Sequence, residues 1–155
     1  VAAHKANFPS RANEYGLYFR EVLQVGSSWT EAQIAGAKKI RARITAGFNQ
    51  LLQSVDALAC RSGGAPAWPI TRELQIGPLA AYMEAWAEAS PRNSDFPAPM
   101  NLAGTPAICL PSGLTADGLP LSIQFAGRRL SEPMLCRIAH AYEQATDWHE
   151  RHPQL

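Results

Sequence analysis

The sequence lacks any long apolar run, and this excludes the simplest kind of membrane protein. The chain has 155 residues and 46% of them are apolar. Proline, glycine or charge nevertheless interrupts its longest hydrophobic stretches, as at 106–111 and 120–127. A membrane-spanning helix needs about 20 consecutive apolar residues. We therefore predict a chain that crosses no membrane and that folds as a single unit over residues 1–155 with its own core.

The sequence also lacks a strong charge of either sign. Its formal net charge is +1, and 17% of its residues are charged. This composition gives no general reason to expect direct binding of nucleic acid. A basic cluster at Lys38, Lys39, Arg41 and Arg43 is interpreted as the solvated face of a helix, because no aromatic or glycine-rich element accompanies it.

Cysteine is scarce and carries no pairing motif. The three cysteines, Cys60, Cys109 and Cys136, lie far apart with no CxxC pair, so we expect buried free thiols. The opening VAAHKANFPSR has no basic segment followed by an apolar one, and hence no visible export signal. Both features favour a reducing, cytoplasmic setting. The absence of an initial Met raises the expectation that further polypeptide precedes this chain.

The four histidines do not form a metal-binding pattern. His149-x-x-His152 can place two imidazoles on one helix face, but Pro153 follows and no third ligand completes a tetrahedral set. His140 lies between apolar positions and is interpreted as a partly buried structural residue, and His4 stands alone. No metal site and no cofactor are predicted.

A complete hydrolytic set is missing as well. Gly26-Ser27-Ser28 and Ser62-Gly63-Gly64 imitate the composition of a nucleophile turn, yet both are more typical of structural turns. The nucleophile elbow, the P-loop and the dinucleotide fingerprint are absent. Glu143, Asp147 and Glu150 have the spacing of an exposed helix face. We therefore assign no catalytic residue to this chain.

The patterns that are present predict an α/β protein. Thr30 to Gln33 form a T-x-x-Q capping box at the start of one long amphipathic helix. Its apolar stripe consists of Ile40, Ile44, Phe48, Leu51, Leu52 and Val55. The run 55–60 (VDALAC) then predicts a buried strand, the stretch 63–78 a loop, 79–89 a helix and 90–99 a second loop.

The last third predicts a hairpin followed by a helix. The runs 106–110 and 119–126 are strand-like, with a turn at Asp117-Gly118 between them. Ser131 is placed to cap a helix whose apolar stripe continues to about His149.

The segment 96–128, FPAPMNLAGTPAICLPSGLTADGLPLSIQFAGR, resembles the C-terminal signature region of the amidase-signature family. The matching elements, in order, are Asn101, Gly104, Pro106, Pro111, Gly113, Asp117-Gly118, Pro120, Gln124 and Gly127. The helix around 139–145, which leads to Trp148-His149 and Pro153, is similar to the family's closing helix. Weaker similarity continues upstream through His4, Phe8-Pro9, Arg11, Tyr15-Gly16, Arg20 and Asp56-Ala57-Leu58. Cys60-Arg61-Ser62 departs from the family pattern, which commonly has Pro-Thr after this strand.

This resemblance implies the C-terminal portion of an α/β/α sandwich, with a mixed β-sheet flanked by helices. It also implies hydrolysis of small-molecule carboxamides by a Ser, cis-Ser, Lys triad. We expect that triad on an N-terminal catalytic segment absent from this chain. The lysines here, Lys5, Lys38 and Lys39, lie in helical stretches with no glycine- and serine-rich block after them.

The resemblance suggests substrate-binding residues in the loop ahead of Asn101. Phe96, Met100 and Asn101 are the candidates for part of an acyl-binding wall, and core packing is the alternative interpretation. Two other functions stay open, namely a non-catalytic truncated scaffold and an A-type subunit of a tRNA-dependent amidotransferase. Exposed strand edges in such a piece also predict a homo-oligomer.

Overall fold

The computed structural model describes residues 1–89 and 96–151, and these form two compact units. One unit contains residues 1–38 and 68–89, and the other contains residues 39–67 and 96–151. His152, Pro153 and most of the predicted loop over 90–99 lie outside the described residues. The prediction of a single unit over 1–155, as one portion of a larger domain, stays a prediction.

The first unit is helical. It contains 3₁₀ turns at Ala2–His4 and Ala12–Glu14 and the helices α1 (Leu17–Ser27), α3 (Arg72–Ile76) and α4 (Leu79–Ala89). Helix α4 packs against α1, where the rings of Tyr18 and Tyr82 lie 4.8 Å apart. The Glu21 carboxylate accepts a hydrogen bond of 2.6 Å from the Leu79 N–H at the start of α4, where the helix dipole favours negative charge.

Two sequence predictions concern this unit. The helix over 79–89 is confirmed. The loop predicted over 63–78 is wrong at 72–76, where α3 forms. Its first turn is supported by the Thr71 hydroxyl, which accepts a hydrogen bond of 3.4 Å from the Leu74 N–H.

Helix α2 (Glu31–Leu51) begins with the predicted capping box. The Gln33 N–H donates to Thr30 Oγ1 at 3.2 Å, and the Thr30 N–H donates to Gln33 Oε1 at 2.9 Å. Its apolar stripe is only partly covered, since Leu52 is buried whereas Ile40 is 53% exposed and Leu51 is 49% exposed. Neither α2 nor any other helix in the described ranges is long and apolar enough to cross a membrane.

The second unit contains a three-stranded antiparallel sheet in the order β1-β3-β2. Its strands are β1 (Ala57–Arg61), β2 (Ala107–Leu114) and β3 (Pro120–Gly127). The β2–β3 hairpin is confirmed, and Gly118 adopts a φ of 80° in its turn. Helices and strands together confirm the α/β class. Any parallel pairing of the expected mixed sheet lies outside these three strands.

Helix α6 (Glu132–Gln144) covers one face of β2 and β3. The Tyr142 ring lies 6.1 Å from that of Phe125, and its hydroxyl donates to the Pro111 carbonyl at 3.1 Å. Gly127 is required on this face, because a Cβ there would clash with Ser131 Oγ and crowd Leu135.

The predicted start of this helix is confirmed, with Ser131 at the N-cap position, although the Ser131 hydroxyl makes no capping hydrogen bond and donates to the Arg128 carbonyl at 2.6 Å. The predicted end needs correction. The α-helix stops at Gln144 rather than near His149, and a 3₁₀ turn occupies Trp148–Glu150. The apolar periodicity continued past Gln144, but it could not show where helical hydrogen bonding ends.

The predicted burial of the thiols and of His140 is wrong. Cys109 and Cys136 are exposed and Cys60 is half-buried, although all three are free as predicted. Cys109 lies on the sheet face that α6 leaves uncovered. His140 is exposed because its neighbour Ala139 takes the buried position on α6.

Arg128 ties the end of β3 to the segment between α2 and β1. Its Nε donates to the Leu52 carbonyl at 2.8 Å, and Leu52 is buried with 1% exposure. Arg128 also donates to the Val55 carbonyl at 3.4 Å and lies 3.7 Å from the Asp56 carboxylate. The start of β1 is therefore fixed to the strand with which it pairs.

We predict opposite effects of the same Gly→Ala change at two positions. Gly104 ends α5 (Pro97–Ala103) with a left-handed φ of 71°, and a side chain there should lower the free energy of unfolding by roughly 1 kcal/mol. Gly47 lies inside α2, and a Cβ added there would meet open space. Gly47→Ala should therefore raise the free energy of unfolding by about 1 kcal/mol. Urea denaturation of both variants checks this, and changes of equal sign would contradict it.

Candidate functional site

A row of three side chains crosses the sheet on the face opposite α6. Phe125 contacts Tyr142 of α6, so the alternation of a strand directs its neighbour Gln124 to the other face. Cys60 of β1 and Cys109 of β2 are the cross-strand partners of Gln124. The two thiols therefore flank a central amide.

The amide of Gln124 is buried and satisfied. The residue is 3% exposed, and its Nε2 donates to Cys60 Sγ at 3.3 Å and to the Arg61 carbonyl at 3.1 Å. A buried amide needs such partners, because leaving one unpaired costs roughly 1 to 3 kcal/mol. Gln124 thus fixes the last two residues of β1.

A second polar pair lies one step further along the same face. The hydroxyls of Ser62 and Ser122 form a short hydrogen bond, and the Ser62 N–H donates to the Ser122 carbonyl at 3.3 Å. Ser62 therefore bonds to another serine rather than to a base. This agrees with its interpretation as part of a turn and not as a nucleophile.

These serines border a cavity of about 360 Å³, which we call the β1-end cavity. It lies where β1 ends and β3 begins, beside the Gly-rich turn predicted after the first strand. Its lining consists of Arg61, Ser62, Gly63, Gly64, Ala65, Pro66, Ala67, Ser112, Pro120, Leu121 and Ser122. The lining is mixed, with alanine, proline and leucine side chains beside three serines and one arginine.

Phe96 contacts Arg61 but is not among the residues that line the β1-end cavity. The Arg61 guanidinium carbon is 4.6 Å from the centroid of the Phe96 ring, which is a cation–π contact. Phe96 is half-buried and Arg61 is exposed. The first of the predicted substrate-binding residues therefore contacts a residue of the segment that departs from the amidase-signature pattern.

Met100 and Asn101 line a different cavity, of about 490 Å³, at the opposite end of β2 and β3. Met100 is 8% exposed, as core packing requires, whereas Asn101 is exposed. Other lining groups include Arg41, Thr105, Arg129 and Glu132. The structure does not bring the three predicted residues to one cavity, and their role in substrate binding stays a prediction.

The histidines of the described residues lie in structural settings. The His4 ring packs edge-on against Tyr15 and Phe19, with centroids 5.7 and 5.1 Å apart. His149 lies between Asp147 and Arg151, and the hydrogen bond of 2.8 Å from Arg151 lowers the pKa of the exposed Asp147 carboxyl. Within residues 1–89 and 96–151, no group of three or more His, Cys, Asp or Glu side chains is placed to hold a metal ion.

Sequence reasoning missed the contribution of Ser112 and Ser122 to the β1-end cavity. Ser62 and Ser122 are 60 positions apart, and only the antiparallel register of β1 with β3 joins them. The hydrophobic patterns of β1 and β3 could have been used to assign the register of the two strands, and that register would have paired Ser62 with Ser122.

Comparison with known proteins identifies relatives over nearly the whole chain. A family model described as Amidase matches residues 4–136. The AmiD protein of Mycobacterium tuberculosis, which bears an amidase name, is 35% identical over 155 residues, covering 99% of this chain and 31% of its own length. The A subunit of the glutamyl-tRNA(Gln) amidotransferase of Picosynechococcus is 35% identical over 152 residues. This match covers 94% of this chain and 29% of the length of the A subunit. The chain spans about 30% of these curated relatives.

Solved structures agree on the fold. A structure of 6-aminohexanoate cyclic dimer hydrolase superposes with a TM-score of 0.64 at 23% identity, covering 86% of this chain and 28% of that one. The A subunit of the glutamyl-tRNA(Gln) amidotransferase of Thermotoga maritima superposes with a TM-score of 0.55 at 26% identity. The superposition covers 86% of this chain and 27% of the A subunit.

Replacing Gln124 by Leu should lower the free energy of unfolding by about 1 to 3 kcal/mol, because the Arg61 carbonyl loses its donor. Gln144→Leu, at the exposed end of α6, is the matched control and should change stability by less than about 0.5 kcal/mol. Chemical denaturation measures both. Equal stability of the two variants would show that the Gln124 amide does not support β1.

Proposed function

Because the chain belongs to the amidase family, we propose that it is the C-terminal part of an enzyme that hydrolyses carboxamide C–N bonds. The match over residues 4–136 carries this proposal. The Ser, cis-Ser, Lys triad lies on an N-terminal catalytic segment outside this chain. In support, Ser62 is bonded to Ser122, and the lysines Lys38 and Lys39 lie on α2.

The reaction proceeds through an acyl-enzyme. The serine oxygen of the catalytic segment attacks the amide carbon and transfers its proton to the neighbouring base, and the C–N bond breaks as the amine leaves with a proton. Water then attacks the ester carbon, which releases the carboxylic acid and restores the serine. Donors fixed near the carbonyl oxygen stabilise both tetrahedral intermediates.

The contribution of this chain is the wall against which the acyl group rests. The β1-end cavity is lined by apolar residues such as Leu121 and by the serines Ser62 and Ser122. The Phe96 ring contacts Arg61, another of its lining residues. Apolar walls with a few placed polar groups are typical of small-molecule sites. Met100 and Asn101 complete the proposed set of binding residues from the other end of α5.

The catalytic segment is also the proposed partner of the uncovered apolar surface. Ile40 and Leu51 of α2 are 53% and 49% exposed, and apolar residues that share a helix face normally pack against protein. A second copy of the chain is the other partner we propose. Cytoplasmic location is part of the same proposal, and no nucleic acid or membrane is involved directly.

The second candidate function is that of an A-type amidotransferase subunit. Its support is the identity of 35% to the A subunits of both Picosynechococcus and Microcystis aeruginosa. This function requires a second protein that purifies together with the chain. A single-chain species that cleaves amides unaided would favour the amidase instead.

We predict that the 155-residue chain alone releases no ammonia from simple alkyl or aryl amides, whereas the longer polypeptide that contains it does. With hydroxylamine present, the longer polypeptide should also form the hydroxamate, because hydroxylamine intercepts the acyl-enzyme. Ammonia release and hydroxamate formation measure the two steps.

Two results would contradict this prediction. Robust turnover by the 155-residue chain alone would show that the nucleophile lies within it. Absence of turnover by the longer polypeptide, on a panel of amides, would favour the non-catalytic scaffold.

A further inference from the structure

Helix α5 carries two of the three proposed binding residues, Met100 and Asn101, but it is too short to hold its own position. It has seven residues, Pro97–Ala103, and isolated helices shorter than about 12 residues are only marginally stable in water. Phe96 occupies its N-cap position and makes no capping hydrogen bond from its side chain. Contacts from other elements must therefore fix α5 in place.

One such contact holds the start of α5. The Phe96 ring at the N-cap position lies 4.6 Å from the guanidinium carbon of Arg61, the last residue of β1. Gln124 in turn fixes Arg61, because its side-chain amide donates to the Arg61 carbonyl at 3.1 Å. The start of α5 is thus attached to the sheet.

A second contact holds the end of α5. Arg41 Nε donates a hydrogen bond of 2.8 Å to the carbonyl of Leu102 in the last turn of the helix. The last carbonyls of a helix have no N–H partner within it, and an arginine side chain is one of the groups that can satisfy them. Arg41 lies on α2, 61 positions before Leu102, so this bond joins two elements that are distant in the sequence.

Met100 and Asn101 lie next to this attachment. The N–H groups of Gly104 and Thr105 both donate to the Met100 carbonyl, at 2.8 and 3.3 Å, and they close the last turn of α5. Arg41 lines the same cavity as Met100 and Asn101. A shift of this turn would therefore move both side chains relative to the cavity.

We infer that Arg41 is a positioning residue for substrate binding, because it holds the end of α5 and thereby keeps Met100 and Asn101 in place. The inference rests on the proposed amidase function and on the binding role proposed for these two residues. Arg41 acts through the Leu102 carbonyl and the turn that contains it, and not through the reacting amide itself.

Kinetics of the longer polypeptide with benzamide and butanamide test the inference. Arg41→Met, which removes the donor, should raise KM about fivefold, the loss of roughly one hydrogen bond, and leave kcat within about twofold. A loosely held binding wall weakens the ground state and the transition state alike, and that combination raises KM alone. A merely structural role would reduce the amount of active enzyme instead, and kcat would fall at an unchanged KM.

Two further variants assign the effect to the hydrogen bond. Arg41→Lys keeps a charged donor on a shorter side chain, so it should restore KM to within about twofold of the original value. Arg43→Met is the matched control and should leave both constants unchanged, because Arg43 is exposed on the same helix and lies outside the cavity.

Hydrogen exchange in the 155-residue chain tests the attachment without turnover. Arg41→Met should increase the exchange of the Gly104 and Thr105 amide hydrogens about fivefold, because the last turn of α5 opens more often. Amide hydrogens in the centre of α6 should keep their rates, which would show that the fold is retained. Arg43→Met should change neither set of rates.

Three outcomes would overturn the inference, namely an unchanged KM in Arg41→Met, an equal rise of KM in Arg43→Met, or unchanged exchange at Gly104. Failure of the proposed function gives a different result. A longer polypeptide that cleaves no amide, combined with faster exchange at Gly104 in Arg41→Met, would refute the hydrolase. The role of Arg41 in substrate binding would be refuted with it, and the attachment of α5 to Arg41 would stand.

Discussion

The arrangement of the second unit depends on one buried side chain, Gln124 of the central strand. Within residues 1–89 and 96–151, strand β1 pairs with one other strand, β3, so few hydrogen bonds of the sheet hold it in place. Gln124 adds two from its side chain, to the carbonyl of Arg61 and the sulfur of Cys60. Because the amide is almost fully buried, the alternative is an unpaired polar group in the interior. The same bonds fix the start of the turn that borders the cavity, so packing and ligand geometry have a common origin.

The two faces of the sheet have different surroundings. Helix α6 covers one face and supplies Leu135 and Ala139 to the core. The other face carries small polar groups and exposed Cys109, a composition that suits contact with ligand or with further polypeptide more than burial in a dry core. That face is nevertheless covered at its centre, where Gln124 and Ala126 are 3% and 0% exposed. The exposed apolar residues Ile40 and Leu51 lie on α2, and the chain spans about 30% of the length of its curated relatives.

Local chemistry predicted those elements whose signals are short in range. The capping box of Thr30 and Gln33 and the hairpin turn at Gly118 are confirmed, because each is set by residues within four positions. Predictions that needed a partner from elsewhere in the chain were less successful. Burial of Cys109 and Cys136 was inferred from the absence of any pairing motif, whereas the covering element decides burial. Likewise, the acyl-binding wall was predicted as one loop, yet Met100 and Asn101 lie in helix α5 beside one cavity while Phe96, ahead of the helix, contacts Arg61.

The sequence by itself determined the family, the α/β class and most of the regular elements, because motifs, caps and turns are written in neighbouring residues. Tertiary structure alone decided which distant groups share a surface. Ser62 meets Ser122 through strand register, and Arg61 meets Phe96 through the course of the chain between β1 and β2. Such contacts join residues that are far apart in the sequence. The pattern of neighbouring residues does not specify which distant segments come together. The residue types of the candidate site are therefore encoded in the sequence, while the Ser62–Ser122 and Arg61–Phe96 contacts are properties of the fold.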